Sequence, residues 1–218
     1  MSRFDPWPAT IADAEAAQRR LRPLLNLSDP GPRTVRYVAG LDVAYGAEDE
    51  EVSGAVVVLR ADTLEIADRV VVRERPRFPY VPGLFAFREL PPLLVALDQV
   101  KIRPDLLVCD GYGLAHPRRF GLACHLGVLT GLPTIGVAKT PFVGRSAVPA
   151  PGRGAWSPIL LEGEVVGRAL RTQDRVKPVF VSQGHRISLD NACGHILRYA
   201  PAYRLPEPIR QADRLSRA

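Results

Sequence analysis

Two aspartates stand where an apolar chain tolerates them poorly. Asp42 interrupts the run VAGLDVAY, and Asp110 ends the run PDLLVCD. A lone ionised carboxylate among apolar side chains is expensive unless it is paired or ligates a metal. Two carboxylates brought close together repel and favour a divalent cation between them. Each has a plainer reading in isolation. Asp42 is then a satisfied polar group near a strand end, and Asp110 a turn or helix-cap residue. The stretch after Asp110, GYGLAHPRRFGLACHLG, adds Gly111, Gly113, His116, Arg118 and Arg119. A structural turn needs no histidine and no pair of arginines so close to a carboxylate. A site that handles phosphate does, because arginine binds phosphate oxygens in bidentate fashion. The plainer reading of the two arginines is solvated charge at a helix start. Glu89 and Asp213 sit in helical patterns and, read singly, are ordinary solvated acids. No spacing rule joins the four carboxylates.

The elements that must carry these residues follow from periodicity and punctuation. Residues 9–25 have helical periodicity, and 26–34 carry turn chemistry. Three β-rich segments, 35–45, 52–60 and 64–74, are joined by an acidic turn over 46–51 and a short ADT turn. That spacing predicts an antiparallel meander. Three prolines make 75–83 irregular, and the helical pattern over 84–100 contains Pro91 and Pro92, which predict a break or kink. Residues 104–110 and 132–139 read as buried strands around a helix over 117–131, a βαβ unit with parallel strands. A hairpin signal follows at Glu162-Gly163, then a strand over 177–185. A helix over 188–200 opens on a serine N-cap, and a short helix spans 207–218. Asp110 thus ends a central strand, where ligands of open α/β sheets gather.

Composition narrows the class. The 218 residues are 46% hydrophobic and 24% charged, enough for one substantial core and short for two. One domain over 1–218 is expected. No stretch is apolar enough for a membrane span, and the N-terminus MSRFDPWPAT lacks a signal-peptide core. A cytoplasmic location with no membrane partner is expected, and monomer is the default. Three cysteines without CxxC spacing exclude a disulfide framework and a zinc ribbon and read as small buried hydrophobes. The net charge of +6 is arginine-heavy. It favours nucleic acid as a partner, although an arginine-rich, GC-biased genome produces the same excess.

Six stretches in order carry a resemblance: VAGLDVAY, PYVPGLFAFRE, DGYGLAHPRRFGLACHLGV, PTIGVAKTPFVG, KPVFVSQGHRISLD and RLPEPIRQAD. Together they resemble the endonuclease V family of repair nucleases, over about residues 35–215. The resemblance implies an α/β, ribonuclease H-like fold whose mixed five-stranded central sheet, three antiparallel then two parallel strands, is flanked by helices. It implies a Mg²⁺-dependent endonuclease, with Mn²⁺ able to substitute, that recognises deoxyinosine. The cut falls at the second phosphodiester bond 3′ to the lesion and leaves 3′-hydroxyl and 5′-phosphate ends. By motif, Asp42, Glu89 and Asp110 are metal-binding acids, with Asp213 close to the metal. Lys139 matches the family's active-site lysine, and His116 its histidine beside the scissile phosphate. PYVPG resembles a wedge in which Tyr80, stiffened by Pro79 and Pro82, stacks where the damaged base leaves the duplex. Gly83, Leu84, Gly111 and Gly113 would shape the base pocket, Arg118 and Arg119 would hold phosphates, and His185 would touch DNA or support the site.

Two positions depart from the family pattern. Tyr112 stands between the pocket glycines where a small or amide residue is usual, and Gln183 stands where a smaller residue is expected. An endoribonuclease acting on inosine-containing RNA is the alternative enzyme. A non-cleaving nucleic-acid-binding relative is the alternative outside catalysis, and the presence of Asp42, Glu89, Asp110 and Lys139 together argues against it.

Overall fold

The β-rich segments pair as their short connections require. In the computed structural model, which describes residues 7–46 and 51–218, β1 (Tyr37–Tyr45), β2 (Val52–Arg60) and β3 (Ile66–Glu74) form the antiparallel meander. The acidic turn expected over 46–51 lies mostly outside the described residues, as do residues 1–6. β4 (Leu106–Asp110) pairs parallel to β1, and β5 (Thr134–Ala138) pairs parallel to β4. The βαβ unit between β4 and β5 is closed by α3 (Leu122–Thr130).

The sheet is wider than the expected five strands. Among the described residues it has eight, in the order β3-β2-β1-β4-β5-β8-β7-β6. The hairpin of β6 (Trp156–Leu161) and β7 (Glu164–Leu170) does not stand apart. Its two-residue turn, Glu162-Gly163, has positive φ at both positions, as a primed hairpin turn demands. β8 (Val179–His185) joins that hairpin to the edge of β5, so these strands continue one sheet.

Helices cover both faces. Residues of alternate parity along β1 and β4 point to opposite sides. Val38 and Val108 pack with α4 (Leu189–Tyr199) and α5 (Glu207–Ser216), while Leu41, Leu107 and Cys109 pack with α2 (Ala86–Gln99) and α3. Burial on both faces is why these strands read as continuous apolar runs. α1 (Ile11–Leu21) is capped by Thr10 and carries Ala14 and Ala17 into a smaller cluster with Phe78, Leu84 and Phe87. Ser188 caps α4 by accepting from the Asn191 amide. All three cysteines are free and buried. Among the described residues, no helix is long and apolar enough to cross a membrane.

One helix expectation needs correction, and of the break or kink expected in another the structure shows no break. The helix expected over 117–131 begins only at Leu122. Residues 117–121 form a turn in which the Arg119 amide bonds the His116 carbonyl and Arg119 itself adopts φ 54°. α2 runs through Pro91 and Pro92 without ending. Pro91 has no N–H to offer the carbonyl of Phe87, four residues back. The Trp7 indole N–H takes that role, donating to the Phe87 carbonyl at 2.6 Å.

Two glycines seat the helices that flank the site. A Cβ on Gly40 would lie 1.9 Å from the Pro208 carbonyl oxygen at the start of α5. A Cβ on Gly54 would lie 2.8 Å from Pro92 in α2. Both helices therefore rest directly on strand backbone.

Candidate active site

The β1–β4 register sets the first two acids side by side. Leu41 pairs with Cys109, so Asp42 and Asp110 are the next residues of adjacent parallel strands. They share the parity of Val38 and Val108 and so face α5. Close seating of α5 on Gly40 brings its last turns over β1, and Asp213 joins them. Asp42, Asp110 and Asp213 each offer a carboxylate oxygen within 4.8 Å of the others.

Glu89 comes from α2, on the other face of the sheet. Its Oε1 accepts from the Tyr45 hydroxyl at 2.6 Å, and it lines the same cavity as Asp110. Asp42 Oδ2 accepts from Ser216 Oγ at 2.7 Å. Lys139, just past the end of β5, places Nζ 2.9 Å from Asp110 Oδ2 and 3.8 Å from Asp213 Oδ1. Arg217 lies 3.2 Å from the same Asp213 oxygen.

Electrostatics follow from this crowding. Burial, then the charges of Asp110 and Asp213, push Asp42 up to about 7, against the Ser216 hydrogen bond. Burial also pushes Glu89 up to about 7, reinforced by Asp42 and Asp110 and opposed by the Tyr45 hydroxyl. Burial alone would lower Lys139, but the Asp110 carboxylate, with Asp213 and Asp42 beyond it, holds it above its ordinary value. Carboxylates that keep protons near neutrality are short of positive charge. An all-oxygen donor set with excess negative charge fits a hard divalent cation and does not suit a soft one.

Beside the acids lies a cavity of about 270 Å³, lined by Glu89, Asp110 and Lys139 on one side and by Gly83, Phe85 and Tyr112 on the other. Tyr112 does not fill it. Its hydroxyl donates to the Thr140 carbonyl at 3.1 Å, and its ring leans on Phe142 with centroids 5.1 Å apart. The two rings make one wall. In the loop that precedes Gly83, Pro79, Tyr80 and Pro82 are exposed, Tyr80 at 57%. The Tyr80 ring sits 4.4 Å from that of Phe85.

His116 and Gly111 also line this cavity, and the other candidate residues are held largely by protein partners. His116 is buried and pushed down to about 4, chiefly by burial. Its Nδ1 accepts from the Arg118 amide, so its Nε2–H donates to the Gly83 carbonyl at 2.9 Å. That carbonyl also accepts from Gln18 Nε2 at 3.0 Å and Arg118 Nη2 at 2.8 Å. His116 and Arg118 thus fix Gly83, whose φ of 80° suits glycine. Arg118 is further held by Gln18 and Glu15, and the buried Arg119 by Glu162, Glu164 and the Leu161 carbonyl. Both guanidiniums are committed to protein partners.

Leu84 points into the core. Gly113 approaches β8, where a Cβ would meet the Gln183 carbonyl at 1.9 Å, and its amide donates to Ser182 Oγ. The Gly111 amide donates to the Val137 carbonyl. Gln183 bonds the Ile187 carbonyl. His185 pairs with Thr134 at the end of β5 remote from Lys139 and accepts from the Asn26 amide, so it is not in the cluster.

Sequence reasoning did not single out Tyr45, Ser216, Gln18 or Phe142. Ser216 carried a usable signal, lying one helical turn beyond Asp213. The others are brought in by long-range folding.

Comparison with known proteins identifies the family. The family model described as Endonuclease V matches residues 19–214. Endonuclease V of Streptomyces coelicolor is 57% identical over 97% of this chain and 91% of its own. The crystal structure of Endonuclease V from Streptomyces avermitilis superposes with a TM-score of 0.94, at 54% identity, covering 98% of this chain and 94% of that one. Ciona intestinalis Endonuclease V, solved with DNA containing an inosine followed by a ribo-adenosine, gives a TM-score of 0.80 at 30% identity over 95% of this chain and 96% of that one. With a matching family model over most of its length and relatives above half identity, the chain belongs to the Endonuclease V family.

Proposed function

We propose that this nuclease recognises deoxyinosine in DNA and hydrolyses the second phosphodiester bond 3′ to it, leaving 3′-hydroxyl and 5′-phosphate ends. The observation that carries the reading is one juxtaposition: a crowded carboxylate cluster borders a cavity whose lining Phe85 packs against an exposed, proline-flanked tyrosine.

Asp42, Asp110 and Asp213 would hold Mg²⁺, or Mn²⁺ in its place, with Glu89 completing the acidic wall. The bound ion supplies Lewis-acid charge to the scissile phosphate and lowers the pKa of the attacking water. Ser216 and Tyr45 orient Asp42 and Glu89 by donating to them. Lys139, cationic and shared between Asp110 and Asp213, would hold the phosphate.

The base would enter the 270 Å³ cavity, since enzymes that act at a damaged base take it out of the stack. Tyr80 then stacks in the space it leaves, and Pro79 and Pro82 limit the entropy lost in holding the loop. Hypoxanthine presents an oxygen where adenine presents an amine. The amides of Gly111 and Gly113 are already engaged, so the donors that read this oxygen fall to the start of α2, where Phe85 and Ala86 line the cavity and, among the described residues, their amides make no backbone hydrogen bond. His116, neutral and bound to Gly83, acts by holding this wall.

The test is strand cleavage of a labelled duplex with a single deoxyinosine, beside an undamaged duplex and an inosine-containing RNA. A Mg²⁺-dependent nick one nucleotide beyond the lesion is expected, absent with EDTA and in Asp110→Ala. Cleavage of the RNA alone would replace DNA with RNA as the substrate. No cleavage of either would overturn the reading.

A further inference from the structure

A second cavity lies on the far side of Lys139. Lys139 and Thr140 line both cavities, so the two meet at the carboxylate cluster. The second is larger, about 580 Å³, and among the described residues no acidic side chain lines it. Its floor is apolar, made by Ile159 and Phe180, and Val148 stands on its rim at 85% exposure.

Two arginines build its walls. The buried Arg171 donates to the carbonyls of Pro149, Ala150 and Val176, tying one wall to the other. Arg204 donates to the carbonyls of Lys139 at 2.6 Å, Lys177 at 3.0 Å and Pro178 at 2.8 Å, tying the groove to the active-site lysine. Two further cations on the rim, Arg145 and Lys177, are exposed. Among the described residues, neither side chain has an ion-pair or hydrogen-bond partner. The groove is therefore held rigidly by paired arginines and edged by unpaired cations.

That composition fits one kind of occupant that also reaches Lys139. A polynucleotide lays sugar and base faces on an apolar floor and sets its phosphates against the cations on the rim. We propose that this groove holds the strand that continues 3′ of the cut bond, with Arg145 and Lys177 as phosphate contacts. The inference rests on the proposed function, which puts the base in the first cavity and the cut on its 3′ side. The chain then leaves the acids through the second cavity. Binding energy gathered there holds the scissile phosphate over the carboxylates, so the enzyme should depend on the length of strand beyond the cut.

The experiment compares single-stranded oligonucleotides carrying one deoxyinosine with a short or a long 3′ arm. In the unmodified enzyme kcat/KM should be higher for the long arm. In Arg145→Ala/Lys177→Ala the long-to-short ratio should fall toward one. Val148→Asp, an exposed change that brings negative charge to the rim, should lower the ratio without lowering Tm. Independently, fluorescence anisotropy in EDTA should show the salt slope of log Kd for the long-arm strand reduced by about 1.4 in the double variant, about 0.7 for each lost phosphate contact. An unchanged ratio and an unchanged slope would overturn the groove. The two proposals fail separately. If the unmodified enzyme leaves deoxyinosine strands uncut while the slope still drops, the proposed function and the 3′ assignment fall, and the groove stands as a strand-binding site.

Discussion

Replacing Asp42 by asparagine should abolish cleavage and yet make the metal-free protein more stable. Asp42 is 6% exposed and is raised from an ordinary 3.8 to about 7 by burial and by Asp110 and Asp213. A carboxyl whose folded pKa lies above its unfolded value costs nothing below about 3.8. Its cost grows as pH rises from there to about 7 and is complete above. About three pKa steps at 1.36 kcal/mol each give roughly 4 kcal/mol at pH 8. Asparagine still accepts from Ser216 Oγ and can donate to Asp110, so it removes the charge without emptying the site. Returning even half of that energy should raise Tm by about 4–8 °C in a chain this size. The assay is thermal unfolding in EDTA at pH 8 and at pH 4. The variant should melt well above the unmodified protein at pH 8 and close to it at pH 4. Adding Mg²⁺ should then stabilise the unmodified protein far more than the variant, because a ligand stabilises only the state that binds it. A variant that melts no higher than the unmodified protein in EDTA at pH 8, or a gain independent of pH, would refute the picture of a charge-starved cluster.

Other perturbations probe the framework around it. Tyr80→Ala should weaken cleavage of a deoxyinosine duplex more than of the single strand, by roughly tenfold, since only the duplex needs the wedge and a base–aromatic stack is worth about 1–3 kcal/mol. Gly40→Ala should cost several kcal/mol of stability and most activity, because its Cβ would meet the Pro208 carbonyl at 1.9 Å and drive Asp213 and Ser216 off Asp42; chemical denaturation beside a cleavage assay reads both. Trp7→Phe should lower stability by about 1–3 kcal/mol in urea titration, because the Phe87 carbonyl loses its donor above Pro91. His125 is buried among Trp7, Phe87 and Phe120, its Nδ1 has no partner, and burial holds it down to about 3. Its contribution is fully present above about 6.5 and lost as pH falls toward 3. His125→Phe should therefore stabilise the protein more at pH 5 than at pH 8 in thermal unfolding.

What the sequence reveals of this fold depends on how local the cause is. The β1–β2–β3 meander, the Glu162-Gly163 hairpin and the Ser188 cap are written in short-range signals, and they form as read. The width of the sheet is not local. Nothing in KPVFVSQGH says that β8 will find the free edge of β5, so three strands are missed as members of the sheet while being legible as strands. The persistence of α2 through Pro91 is not local either, since the replacement donor lies 80 residues away in Trp7.

The site divides along the same line. Asp42 and Asp110 are conspicuous because a carboxylate ending or interrupting an apolar run is anomalous wherever the chain goes. Arg118 and Arg119 are conspicuous for their nearness to Asp110, yet their charge is spent inside the protein. Their acidic partners, Glu15, Glu162 and Glu164, are ordinary surface glutamates in sequence. Gly83 shows what this spending achieves. One carbonyl collects donors from Gln18, His116 and Arg118, drawn from α1 and from the loop after β4. It lies immediately before the start of α2 and after the exposed proline loop. The histidine and one arginine of the opening motif therefore act on the site through backbone: they clamp the junction between Tyr80 and Glu89, so that the proposed wedge and the proposed metal-side acid keep a fixed distance. Residues that stand out by type can serve a site by holding its frame, and only the fold separates that role from direct contact.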